Sequence, residues 1–523
     1  MSRILDKLYP LRNSGKRNTL GINDASIEKF LESDYKLIKA IDRAVNFFYD
    51  IMPHELKFLD EDEQIIRIQE GFLNFYDPDS VVPYVPAGAC GPWVVTSKGA
   101  IVYDAAGYGM LGFGHTPRQI QEVLAKPWPM ANVMTAQVPQ WCFDEALRKE
   151  IGHTGIGYPY DKIMCLNSGS EANSLVCRIA DTLSGITTGK NGSKPGAMVK
   201  RVVLNGGFHG RTERPALLSH SSRSAYSDLS SFRNEDSVIV VDVDDVSGLE
   251  KVYEAAENNN WFIEMFIMEP VMGEGNPGYA VSREFYETVR RLTKEHGSLM
   301  VVDSVQAGLR AFGVLSVVDY PHFQGCEPPD METFSKALNA GQFPLSVVVF
   351  NKRAAQIYQR GTYGNTMTGN ARAMMAGVKV LESFTPELRE NICSMGALFV
   401  SKLEQLSERY PEIITNVQGS GLLVSCEIAN VPVSGHDSFE EFLRIGGLNA
   451  IHGGSSSLRF TPIFDVTEAE IDLMIEIIDA VAHKADKFLT PPLVGWPKEP
   501  NNEEAKITKA APVNENFKES RSS

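Results

Sequence analysis

Between residues 100 and 350 the chain keeps running apolar residues together and breaking each run on a polar one: "AIVYD", "RVVLN", "SVIVVDV", "MFIMEP", "LMVVD" and "PLSVVVF". A strand with one wet face alternates, whereas a strand covered on both faces reads as a continuous apolar run. These segments therefore predict a mostly parallel sheet buried between helices. The stretch "SREFYETVRRLTKEHG", between two of them, sets Phe285, Val289 and Leu292 on one helical face and ends at Gly297, a favourable residue just past a helix. Strand, helix and strand in that order give right-handed crossovers and a doubly wound α/β layer, whose ligands lie beyond the carboxyl ends of the strands. Asp303 stands at such an end, after the apolar run 299–302. A carboxylate there needs a cation or a cationic ligand.

A chain of 523 residues exceeds one small core, and the pattern divides it. Residues 1–80 read as a helical extension, with Ile38, Ile41, Val45 and Phe48 spaced along one helical face. Residues 81–135 read as the first part of a small domain and 136–385 as the large domain that holds the sheet. The rest of the small α+β domain, 386–490, contains "GLLVSCEI" and "SLRFTPIF". Past Trp496 there is little to bury, and 497–523 is expected to be disordered.

A formal net charge of −16 argues against nucleic-acid binding, because phosphates need a basic surface. The seven cysteines are scattered and lack metal-ligand spacing, so reduced thiols in the cytoplasm and no metal site are expected. No apolar run reaches the roughly 20 residues of a membrane span. The basic N-terminus, "MSRILDKLYPLRNSGKR", contains Asp6 and Pro10 and reads as a solvated tail rather than a transit peptide.

Four segments carry candidate chemistry, and a fifth resembles a motif it does not complete. "GYGMLG", 107–112, matches a dinucleotide pattern but leads into "FGHTP" rather than a helix, so it reads as a glycine-rich turn. "NSGSEANSLVCRIAD" follows the strand-like "KIMCL" and opens a helix with Ala172, Leu175, Val176 and Ile179 on its apolar face. Small residues at a helix start offer free amides and a positive dipole end to a phosphate, although an ordinary serine cap reads the same way. "GGFHGRT" places Phe208, on which a flat ligand could stack, and His209, structural or chemical, in a turn after "RVVLN". "DMETFSKALNAG" puts Lys336 in apolar surroundings, either as a snorkelling lysine or as a desolvated amine fit for Schiff-base chemistry. Together with Asp303, these are the parts that hold pyridoxal phosphate. The helix start meets the phosphate, Phe208 the ring, Asp303 the ring nitrogen and Lys336 the aldehyde. Asp303 then keeps the ring nitrogen protonated, so the ring can draw electrons from the substrate.

At these residues the chain resembles the class III aminotransferases, the ornithine, acetylornithine, 4-aminobutyrate and lysine group of fold type I pyridoxal-phosphate enzymes. The resemblance runs from about residue 95 to 485, with its motifs in family order. "NSGSEAN" is similar to N-[ST]-G-x-E-A, which implies phosphate binding by the backbone of Gly169 and Ser170. "FHGRT" is similar to aromatic-H-G-R-T and implies that Phe208 stacks on the ring. "DSVQAG" resembles D-E-V-Q-x-G, which assigns Asp303 to the ring nitrogen, Val305 to the opposite ring face and Gln306 to the phenolic oxygen. "PPDMETFSKALNAGQFPLS" resembles P-D-x-x-x-x-x-K-x-x-x-x-G-x-P and makes Lys336 the Schiff-base lysine. "NTMTGNA" is similar to x-T-F-G-G-N-P, implying that Thr366 reaches the phosphate of a neighbouring subunit. "LRFTPIF" resembles L-R-F-x-P-P-L, whose arginine, here Arg459, receives the substrate carboxylate. "MEPVMGEG" resembles E-P-x-x-G-E-x-G, whose glutamate, here Glu274, gates that arginine in several members.

The chain departs from these patterns at Ser304, where the family has a second acidic residue, at Arg310, one place early, and at Gln418, in place of arginine. The resemblance implies a large doubly wound sheet domain with a smaller α+β domain. It also implies a homodimer with Thr366 at the interface, and transfer of an amino group between an amino acid or amine and a keto acid. Lys336 and Asp303 are then the catalytic residues. The alternative is non-transaminating chemistry on the same cofactor: γ-elimination or replacement, decarboxylation or carbon–carbon bond formation.

Overall fold

The computed structural model describes residues 3–76, 81–129, 134–232 and 235–489, and the tail expected to be disordered, 497–523, lies outside them. An N-terminal run of helices includes α1 (Tyr35–Asn46) and leads to β1 (Pro86–Cys90), β2 (Trp93–Thr96) and β3 (Ile101–Asp104). Next come β4 (Lys162–Leu166), α2 (Gly169–Thr188), β5 (Met198–Leu204), β6 (Val238–Val241) and β7 (Trp261–Met268). α3 (Arg283–Glu295), β8 (Leu299–Asp303), β9 (Met331–Phe334) and β10 (Ser346–Phe350) follow. The C-terminal part contributes β11 (Ile414–Ser420), β12 (Leu423–Ile428), β13 (Leu448–Asn449), β14 (Ile451–Gly453) and β15 (Ser457–Phe460), and ends on α4 (Glu468–Leu489).

Strands β4 to β10 form one seven-stranded sheet in the order β4-β10-β9-β8-β7-β5-β6. β5 to β9 pair in parallel, and β10 runs antiparallel to both β4 and β9. "PLSVVVF" is thus reversed within a mostly parallel sheet. All five of its strand residues are buried, so its apolar run carries no mark of direction. "AIVYD" lies outside this sheet, contrary to expectation. β3 pairs with β2 and with the short β13 in a four-stranded sheet, β1-β2-β3-β13. Ile101, Val102 and Tyr103 are as buried as the large sheet's residues, and a continuous run reports burial rather than sheet membership. A further antiparallel sheet, β11-β12-β15-β14, completes the C-terminal part. α3 behaves as its sequence implies: Ser282 caps it by accepting from Phe285 N–H, Phe285, Val289 and Leu292 are buried, and Gly297 takes φ +72 just past its end.

The N-terminus is not a solvated tail. Leu5, Leu8 and Leu11 are buried, and Arg12 donates to Asp24 at 2.7 and 2.8 Å. Leucines spaced by three make an apolar stripe, which outweighs basic residues that keep their charges at the surface. In α1 the buried face is also rotated from the expected one: Leu37, Ala40, Ile41 and Ala44 are buried, while Ile38 and Val45 are only partly covered. The two alanines mark where β1 approaches, because a Cβ on Gly88 would lie 2.3 Å from Ala44 N and 2.5 Å from Ala40 O. Among the described residues no helix is long and apolar enough to cross a membrane.

This backbone-to-backbone contact makes a prediction. Gly88→Ala forces α1 away from β1 at a cost of about 1–3 kcal/mol, the range for overpacking. Amide exchange across 35–46 should accelerate by tenfold or more. Unchanged protection in that helix would refute the contact.

Candidate active site

The carboxyl ends of β4, β5, β7, β8 and β9 face one edge of the large sheet, and the loops that leave them wall a cavity of about 420 Å³. Gly169 and Ser170 enter it from the start of α2, Phe208 from the loop after β5, and Glu269 and Glu274 from the loop after β7. Asp303, Val305 and Gln306 reach it from β8, and Lys336 from the turn after β9.

Asp303 is 2% exposed. Its Oδ2 accepts from His209 Nδ1 at 2.8 Å and from Asn173 Nδ2 at 2.7 Å. Its Oδ1 accepts from Val305 N–H at 3.1 Å and from Thr333 Oγ1 at 3.2 Å. Four donors converging on one buried carboxylate hold it in place. His209, left open by the sequence, thus orients Asp303, while its buried Nε2 has no partner among the described residues. Sequence reasoning missed Asn173 and Thr333. A signal existed for the first, because Asn173 is a polar residue on the apolar face of α2 and is 1% exposed.

Backbone packing shapes the next wall. A Cβ on Gly169 would sit 2.7 Å from Val305 Cγ1, and one on Gly210 would sit 2.5 Å from Ser170 Oγ. The start of α2 is therefore drawn against both Val305 and the "FHGR" turn, and Ser168 caps it by accepting from Glu171 N–H at 3.3 Å. Close by, the carboxylate of Glu269 accepts from Phe208 N–H at 2.9 Å and Gly273 N–H at 2.8 Å, and burial pushes its pKa up to about 7.

Lys336 adopts φ +40, a left-handed conformation rare for a residue with a side chain. Its amine donates to Gln306 Oε1. Burial, and next the Arg459 charge, pull that amine down to about 8. Gln306 Nε2 is buried and has no partner among the described residues. Arg459, on β15, does not line the cavity but borders it: its guanidinium is 3.0 Å from Glu274 Oε2 and also donates to Gly273 O. Thr366 is exposed and stands apart from this cavity.

The departures from the family pattern all make scaffold contacts. Ser304 Oγ donates to Glu332 Oε1 at 2.5 Å. Arg310 is fully buried, donates to Leu422 O at 3.1 Å and Pro462 O at 2.6 Å, and lies 5.0 Å over the Phe464 ring. Burial and then Arg459 bring Arg310 down to about 9. Gln418 donates to Pro277 O at 2.9 Å, in the loop after Glu274. "GYGMLG" is a turn whose Met110 lines the cavity.

Arg211 lies over the rings of Phe208, which lines the cavity, Phe75 and Tyr76 at 5.5, 5.6 and 5.6 Å, and Tyr76 is 6.2 Å from Tyr108. Sequence reasoning missed this group because Phe75 and Tyr76 come from a segment with no periodic or motif signal, and Tyr108 sits in "GYGMLG", read as a glycine-rich turn.

The cavity makes definite chemical demands. Gln306 Nε2 has no acceptor among the described residues, Asp303 presents a buried carboxylate to the cavity, the amides at the start of α2 suit an anion, and the Lys336 amine is nucleophilic near neutrality. Pyridoxal phosphate supplies a phenolic oxygen, a protonated ring nitrogen, a phosphate and an aldehyde, so these residues fit it.

Comparison with known proteins agrees. Residues 75–482 match the aminotransferase class-III family. Ornithine aminotransferase of Staphylococcus epidermidis is 29% identical over 437 residues, covering 80% of this chain and 99% of that protein. The acetylornithine aminotransferase structure from Elizabethkingia anophelis superposes with a TM-score of 0.62 at 25% identity, covering 81% of this chain and 100% of that one. The taurine:2-oxoglutarate aminotransferase of Bifidobacterium kashiwanohense, in complex with PLP and glutamate, shares the fold with a TM-score of 0.69 at 18% identity, covering 82% and 99% of the two chains. The chain belongs to the class-III aminotransferases and is a pyridoxal-phosphate-dependent aminotransferase of fold type I.

Proposed function

We propose that Lys336 carries the cofactor and moves the proton in an amino transfer between an amino acid or amine and a 2-oxo acid. The observation that carries this reading is the Lys336 amine, lowered to about 8 and set against Gln306 in the same cavity as the buried Asp303. When bound, pyridoxal phosphate supplies an aldehyde that captures the substrate amine and a ring that acidifies the adjacent carbon. Asp303 would face the ring nitrogen and keep it protonated. Gly169 and Ser170 would meet the phosphate through their amides, Phe208 and Val305 would cover the two ring faces, and Gln306 would donate to the phenolic oxygen. The Lys336 amine would hold a proton weakly enough to accept and return it near neutral pH. Arg459 would bind the substrate carboxylate in a two-pronged grip, in exchange for Glu274.

The relatives named for ornithine and acetylornithine favour a donor amino acid that carries a second amine or an acylated one. They also favour transamination over other chemistry on the same cofactor. Thr366, exposed and apart from its own cavity, would complete the phosphate site of a second copy, which makes the active unit a homodimer. All seven cysteines are free, which supports a reducing compartment such as the cytoplasm.

Three outcomes are expected. Purified protein should show the visible absorbance of lysine-bound pyridoxal phosphate and lose it on adding a competent amino donor, with one carbonyl product of that donor released per site. Lys336→Ala should show neither, and a wild type that stays colourless with added cofactor would overturn the assignment. The rate at which dialysed protein recaptures pyridoxal phosphate should rise with pH around an inflection near 8, because the amine is cationic and unreactive below that value and free above it. An inflection near the ordinary lysine value of about 10.4 would contradict the buried, Arg459-facing amine. Arg459→Lys should raise the KM for the 2-oxo acid about tenfold or more, because the two-pronged grip is lost, and should leave the visible band unchanged.

A further inference from the structure

Glu332 sits in the middle of β9 with 0% exposure, in register between Val302 of β8 and Val349 of β10. A charged residue inside a sheet is exceptional unless its oxygens are satisfied. Both are. Oε1 accepts from Ser304 Oγ at 2.5 Å and Val317 N–H at 2.9 Å, and Oε2 accepts from Ser316 Oγ at 2.5 Å and Tyr160 OH at 2.8 Å. Burial raises this carboxyl, while all four donors favour its charged form.

The next residue on the strand, Thr333, points to the opposite face, as strand geometry requires, and donates to Asp303 Oδ1 at 3.2 Å. Successive residues of β9 thus hold the last residue of β8 and the one after it, Thr333 on Asp303 and Glu332 on Ser304. Those two begin the segment 303–306, which brings Asp303, Val305 and Gln306 to the cavity. Ser304 is also where the family pattern D-E-V-Q has its glutamate. In this chain the carboxylate comes from the adjacent strand instead.

We infer that Glu332 is a positioning residue for cofactor binding. Its carboxylate, reaching Ser304 from β9, fixes the end of β8 so that Asp303, Val305 and Gln306 keep their places around the cofactor. This rests on the cofactor reading above. The carboxylate acts from either strand, so a glutamate at position 304 substitutes for one at 332.

The test uses holoenzyme and follows cofactor release after dilution, together with the position of the visible band. Glu332→Gln, which keeps the shape and removes the charge, should release pyridoxal phosphate about tenfold faster, as expected for losing a charge-assisted hydrogen bond, and should shift the band. Ser304→Ala removes the one bond to β8 and leaves Glu332 its other three donors. It should accelerate release severalfold without lowering the thermal midpoint, and it carries the test should Glu332→Gln not accumulate as folded protein. The exchange variant Ser304→Glu with Glu332→Ser should restore release to within about threefold of wild type, whereas Glu332→Ser alone does not. Normal release and an unshifted band in both Glu332→Gln and Ser304→Ala overturn the proposal, as does an exchange variant no better than Glu332→Ser. A wild type that binds no pyridoxal phosphate defeats the cofactor reading itself, whereas normal wild-type binding with indifferent variants defeats this proposal alone.

Discussion

A carboxylate taken out of water at the end of β8 sets the terms for much of this structure. Burying such an ion costs several kcal/mol even after relaxation, and each hydrogen bond to a charged group returns about 1.5–3 kcal/mol. Asp303 therefore needs several donors, and it recruits them from distant parts of the chain: His209 after β5, Asn173 on α2, Thr333 on β9 and the amide of Val305. Each donor ties another wall of the cavity to the same atom pair. α2 cannot slide without losing Asn173, and the "FHGR" turn cannot open without losing His209. The packing that presents the start of α2 to the cavity is thus coupled to the charge at its floor.

Burial acts on the other ionisable groups in the opposite sense for acids and amines, and the result is a cavity balanced near neutrality. Glu269 rises to about 7 and Lys336 falls to about 8, each chiefly by desolvation. A carboxyl and an amine brought this close in proton affinity can hold or release protons with little driving force, which suits a reaction that moves a proton out and back. Asp303, in contrast, is surrounded by four hydrogen-bond donors that hold it at the floor of the site. One cause, exclusion of water from the loops beyond the sheet, moves both the carboxyl and the amine toward neutrality.

The sheet core and the cavity floor were legible in the sequence for the same reason: both depend on local runs. Continuous apolar segments located the buried strands, and small or polar residues at their ends located Gly169, Phe208, Asp303 and Lys336 on the cavity wall. Strand direction and sheet membership were not legible, because β3 and β10 are as buried as their parallel counterparts and burial alone writes the pattern. The N-terminal leucines were misread since the surrounding basic residues dominate composition, while packing depends on the stripe. Asn173 and Thr333 escaped because a polar residue in an apolar element gains meaning only once the charge it serves is placed. Glu332 escaped for the same reason, one residue along the strand.

The chain's departures from its family's patterns share a structural logic. Ser304 defers to Glu332, Arg310 spends its donors on the carbonyls of Leu422 and Pro462, and Gln418 braces the loop that follows Glu274. None of the three side chains lines the cavity; each decides how a cavity loop is held. The groups that would touch cofactor keep their family identities, so the chemistry is conserved on a rewired scaffold. Beside the cavity's Phe208, Arg211 also lies over Phe75 and Tyr76, and Tyr76 approaches Tyr108. The rewiring therefore falls on what holds the loops, while Asp303 and its four donors hold the floor.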